Sequence, residues 1–198
     1  MKQLKMTSDG AYTFVDDDEQ LSTPGGTPCV VKSKELAERI LADWEECPDS
    51  FDGDCSLPWI YTYQENFARM GEAKVREVLV QCFKKEQDWT FHCPSANPSV
   101  WMTFRSCFGE FTSQWKEIEV WLGRLNLYQL TAACCVGNAF QSLNVAFVFS
   151  FILETEEEEP GEREAALDNI AELIEVYQGE DRDFVRNVYA LFELFWKA

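Results

Sequence analysis

Residues 22–48 read STPGGTPCVVKSKELAERILADWEECP. The stretch leaves a turn at Thr23-Pro24-Gly25-Gly26-Thr27-Pro28 and enters the apolar strand Cys29-Val30-Val31. It then meets Ser33, whose hydroxyl suits a helix N-cap. From there Leu36, Ile40, Leu41 and Trp44 fall on one helical face, and the helix stops ahead of Pro48. Upstream, residues 10–32 alternate apolar with polar positions through Tyr12 and Phe14, so short antiparallel strands precede the helix. An amphipathic helix packed on a small antiparallel sheet sets an α+β beginning.

The pattern changes to helical spacing from there on. Trp59, Tyr63 and Phe67 recur every fourth residue, and after Gly71 the set Val75, Val78, Leu79, Cys82 and Phe83 continues in the same way, predicting two helices. Asn97-Pro98 supplies a cap and a first-turn proline for a further helix. That helix carries Trp101, Phe104, Phe108, Phe111, Trp115, Ile118 and Leu122 as a core stripe. Leu125 to Leu153 contains no charged residue. A membrane span is disfavoured by the amides of Asn126, Gln129, Asn138, Gln141 and Asn144 and by the acidic flank at Glu154–Glu159, so the stretch predicts a long helix buried at the centre of a helical domain. Ala165, Ile170, Leu173, Ile174 and Tyr177 mark one tail helix. Phe184, Val188, Leu191 and Phe195 mark another after Gly179. The expected fold is α+β: a small N-terminal antiparallel β domain with one amphipathic helix over 1–56, then a mainly helical domain over 57–198.

Composition narrows the function classes. The chain has 198 residues, 46% of them hydrophobic, with 15 Phe, 7 Trp and 6 Tyr, which suits a folded chain with a sizeable core. Its formal net charge of −18 opposes a nucleic-acid partner, because that affinity comes from Lys and Arg displacing counterions. Mean hydropathy is −0.28, and no membrane insertion is expected. Eight cysteines in a chain long enough to fold without staples fit a reducing compartment.

The residues give little sign of catalysis. His92 is the one histidine, and its neighbour Cys93 cannot pair with it by adjacency alone. The cysteines at 29, 47, 55, 82, 93, 107, 134 and 135 include no Cys-x-x-Cys. Thr23-Pro24-Gly25-Gly26 lacks the Lys-Ser/Thr pair of a phosphate loop. Asp49, Asp52 and Asp54 are interrupted by Phe51 and followed by Pro58, unlike a calcium loop. Carboxylate abundance leaves a hydrolase as one reading, with nothing specific behind it. No catalytic residue, cofactor or metal is expected.

The 22–48 block resembles the signature region of the assembly chaperones that act on the alpha subunit of the ATP synthase catalytic head. Thr23, Pro24, Gly26, Leu36, Ala37, Ile40, Ala42 and Trp44 fit that pattern in order, with Asp43 where Glu is usual. Leu57-Pro58, Asp88 to Pro98, Leu127 to Ser142 and Tyr177-Gln178-Gly179-Glu180-Asp181 extend the similarity along the chain. The sequence departs from the family in lacking the tryptophan of the terminal motif, in Cys134 at an otherwise acidic position, and in Pro58-Trp59-Ile60.

The resemblance implies a small β domain joined to a helical one. It also implies a non-catalytic protein that holds the unassembled alpha subunit, shields its sticky interface, and resides in the mitochondrial matrix or in an alphaproteobacterial cytoplasm. Trp44, Trp59 and Trp121 are the candidate anchors where exposed. Glu156, Glu157, Glu158, Glu180 and Asp181 are the candidates for steering a basic client. The alternative is a chaperone-derived structural subunit, or an assembly factor, of another mitochondrial complex.

Overall fold

The computed structural model describes residues 2–46, 52–91, 115–154 and 161–198. Strand β1 (Lys2–Met6) pairs antiparallel with β2 (Tyr12–Asp16), placing Leu4 opposite Phe14. Asp17 and Asp18 both take positive φ (47° and 71°), the handedness a two-residue hairpin needs, and return the chain as β3 (Glu19–Gln20) beside β2. The proline-glycine turn closes with Thr23 N–H donating to Thr27 O at 2.8 Å and leads to β4 (Val30–Val31), which pairs with the other end of β2. Strand β2 is therefore the centre of the sheet. Its Thr13, Phe14 and Val15 are all buried.

Helix α1 (Lys34–Glu46) begins as the sequence reading expects: Leu36 N–H donates to Ser33 Oγ at 3.2 Å. Its buried face is Leu36, Ala37, Ile40 and Trp44, and Trp44 meets Phe14 of the sheet at a ring distance of 5.5 Å. The opposite edge of Trp44 faces Tyr61 at 6.3 Å, so one aromatic run links the sheet to the helical part. Asp43 makes a second link. Its carboxylate accepts from Ser56 N–H at 2.7 Å and from Arg39 Nε at 2.9 Å, capping α2 (Ser56–Tyr61) from α1.

From α2 the chain runs without a break into a π-helical turn, Thr62–Phe67, and then α3 (Ala68–Met70). Gly71 at φ 76° ends this run and starts α4 (Glu72–Cys82). The next described α-helix is α5 (Trp115–Leu122). Asn97, Pro98 and the aromatics between Trp101 and Phe111 lie outside the described residues.

The uncharged stretch forms two helices instead of the single one expected. Helix α6 (Leu127–Phe140) opens with a reciprocal capping box between Asn126 and Gln129 and ends where Gln141 adopts φ 51°. Ser142 then accepts Val145 N–H at 3.2 Å and starts α7 (Leu143–Glu154). A serine cap is the physical reason for the break, and neither glycine nor proline announces it. Among the described residues no helix is long and apolar enough to cross a membrane. Helices α8 (Glu162–Gln178) and α9 (Arg182–Lys197) complete the fold, separated by Gly179 at φ 74°.

Helix α9 buries Val185, Val188, Tyr189, Leu191, Phe192, Phe195 and Trp196, the three-and-four spacing of an amphipathic helix seated on α6 and α7. Each of these large side chains contributes roughly 1.5–3 kcal/mol on burial. Buried residues form one core that runs from Phe14 to Trp196, crossing position 56 without a gap. The fold is α+β, a small N-terminal antiparallel sheet followed by a mainly helical region.

Candidate protein-binding surface

The three tryptophans are core residues. Trp44 is 7% exposed, Trp59 1% and Trp121 9%. Trp59 donates from Nε1 to Gly53 O at 3.0 Å and packs on Phe195, while Trp121 stacks on Trp196 with 6.0 Å between rings. An anchor must be reachable by its partner, and burial removes all three from that role.

Of the acidic candidates, Glu156, Glu157 and Glu158 lie outside the described residues. Asp181 is exposed and Glu180 half-buried, side by side between α8 and α9. The Asp181 carboxylate accepts Asp183 N–H at 2.7 Å and so caps α9. The acid surface of α8 is partly neutralised across the helix pair: Arg182 pairs with Glu175 at 2.5 Å, and Arg186 pairs with Asp168 and with Glu164. Such exposed pairs are screened by solvent and contribute little stability. Glu172, one turn before the 56%-exposed Val176 on α8, interacts electrostatically with Arg182. Among the described residues Val176, Phe151, Val120, Met70 and Met6 are the large exposed apolar ones, one each on α8, α7, α5, α3 and β1. Val176 is therefore an exposed apolar spot on an acidic helix, and Glu180 lies beyond the helix end at Gly179.

Two further features were not legible in the sequence. Glu65, in the π-helical turn, accepts the backbone N–H of Gly25 from the proline-glycine turn. Nearby Gln64 donates to Val30 O at 2.7 Å and Arg69 to Thr27 Oγ1 at 2.5 Å, so three contacts clamp the sheet onto the helical body. Hydrogen bonds from the Thr23 hydroxyl and the Gly25 N–H hold the Glu65 carboxyl below its ordinary range.

The second feature is a cleft of ≈ 300 Å³ where α4 and α6 both end, with Asp88 in its wall. Asp88 is only 3% exposed, and its carboxylate is held by Thr90 Oγ1 at 2.6 Å, Thr90 N–H at 3.1 Å and Asn144 N–H at 3.4 Å. It caps α7 from within the core. No periodicity or motif points to a carboxylate used in this way.

Thiol chemistry is suppressed at the interior cysteines. Burial pushes the Cys29 and Cys134 thiols up to about 12 and raises Cys135 as well, keeping all three protonated at neutral pH. Among the described residues no three His, Cys, Asp or Glu side chains are grouped to hold a metal ion. His92 and Cys93 lie outside the described residues. No family model, curated protein or solved structure matches this chain.

Proposed function

We propose that the chain is a non-catalytic assembly chaperone that binds the unassembled alpha subunit of an ATP synthase catalytic head and prevents its aggregation. The observation that carries this reading is the 22–48 block, whose residues resemble those chaperones. Its turn, strand, serine cap and helix are followed by the helical region that the resemblance implies.

The physics of such a role is mass action. A free subunit exposes the apolar interface it will later bury, and a soluble partner lowers the concentration of that sticky form. The net charge of −18 favours a basic client surface and speeds encounter with it. Glu172, Glu180 and Asp181 are among the described carboxylates of that acidic field. In this reading the protein works where the alpha subunit is assembled, in the mitochondrial matrix or the cytoplasm of a bacterial relative.

The test is capture of purified alpha subunit by the immobilised full chain, repeated over a salt series. Capture that weakens as salt rises supports the proposal. No capture at low salt rejects it, and stable recovery with a mature complex transfers the chain to the structural-subunit class.

A further inference from the structure

We infer that the cleft between the C-terminal ends of α4 and α6 receives an arginine side chain of the protein partner. The inference rests on the protein-binding reading above and supplies a specific contact for it.

The cleft is built from helix ends of one polarity. Cys82 is the last residue of α4, Gly137 and Asn138 lie in the last turn of α6, and Gln141 is its C-cap; all four line the space. A helix C-terminus carries roughly half a negative charge on its unpaired carbonyls. Two such ends meet here with the buried Asp88 carboxylate in the same wall, although Gly137 O already accepts from Gln141 and Ser142 N–H and Phe140 O from Trp89 Nε1. A carboxylate has about four acceptor positions. Three donors occupy Asp88, the two groups of Thr90 and the Asn144 N–H. Acceptor capacity remains, and the amide oxygens of Gln87, Asn138 and Gln141 add to it.

The remaining wall is an aromatic face. The Phe83 ring lies so close to Gly137 that a side-chain carbon there would sit 2.9 Å from it, so the glycine makes room for the ring. A planar guanidinium stacks on such a face and forks its donors toward carbonyl oxygens. It is also less strongly hydrated than an ammonium. At ≈ 300 Å³ the cleft has room for one guanidinium-bearing side chain. The chain's own Lys84 stands at the rim and is exposed; among the described lining residues it is the one cation. It competes for the same acceptors, so the site is attenuated as it stands.

The experiment is an NMR titration of the isotope-labelled full chain with N-acetyl-arginine amide, and in parallel with N-acetyl-citrulline amide, which has the same shape without the charge. Arginine amide shifts the resonances of Gln87, Asn138 and Gln141, and citrulline amide leaves them in place. Lys84→Ala tightens the arginine response about threefold by removing the competing charge. Asn138→Arg and Gln141→Arg each abolish it by placing a guanidinium in the cleft from within; both positions are exposed, so the fold tolerates them. The inference is overturned by absence of shifts with arginine amide, by equal shifts with citrulline amide, or by a response that survives both arginine variants. Because no client is present, a negative result here leaves the alpha-subunit capture experiment standing, and failure of that capture leaves this titration intact.

Discussion

Glu65 reaches back forty positions in sequence to accept the backbone N–H of Gly25, and this contact joins the sheet's proline-glycine turn to the helical body. A carbon added at Gly25 would lie 2.7 Å from Glu65 Oε1, so a side chain there makes the Glu65 carboxylate shift.

Gly25→Ala therefore displaces the carboxylate and breaks the hydrogen bond, at a cost of about 1 kcal/mol because the group is solvent-exposed. Glu65→Ala removes the same bond from the other side. The double variant should unfold at nearly the denaturant midpoint of either single one, since both delete one interaction. Additive losses in a urea-melt cycle would show that the two residues act independently.

The same contact gives a pH dependence with a definite sign. Thr23 and Gly25 hydrogen bonds hold Glu65 below its ordinary value of 4.5 in the folded chain. A depressed carboxyl contributes stability that is present above the unfolded value and fades as pH falls through the folded one. Thermal melts between about pH 6 and pH 3 should show the gap between the native chain and Glu65→Gln closing on the acid side. A gap that widens on acidification would reverse the assignment.

Trp44 bridges Phe14 and Tyr61 within the core, so its substitution acts on stability. Trp44→Phe should lower the denaturant midpoint by a loss of about 1–2 kcal/mol while leaving client capture unchanged under native conditions. Capture lost by a variant that remains folded by circular dichroism would return Trp44 to the binding surface.

How much of this could be read in advance depends on where the information lies. Ser33, the Leu36–Trp44 face and the Gly179 stop are local signals, and the folded chain uses each as such. The break at Gln141-Ser142 is not legible in the sequence because a left-handed glutamine leaves no compositional mark. The π-helical turn was missed because Tyr63 and Phe67 keep ordinary helical spacing across it. Trp59 and Trp121 became anchor candidates by residue type, and tertiary packing against Phe195 and Trp196 decided otherwise. The Glu65 and Asp88 contacts join residues 40 and 56 positions apart, a relation that single-sequence patterns do not carry.

Asp181 separates capping from charge. Asparagine caps a helix about as well as aspartate, so Asp181→Asn should keep the melting temperature and slow association with a basic client at low salt. Asp181→Ala should lose about 1 kcal/mol of stability through the missing cap. An unchanged association rate in stopped-flow measurements of the asparagine variant would take Asp181 out of the steering surface.

The central claim concerns the client, and light scattering tests it most directly. Purified ATP synthase alpha subunit, diluted alone into low-salt buffer, aggregates; with an equimolar amount of the full chain the scattering should stay at baseline, and the two proteins should co-elute as one species. Scattering that rises at the same rate with and without the chain, and separate elution of the two proteins, would contradict the assignment.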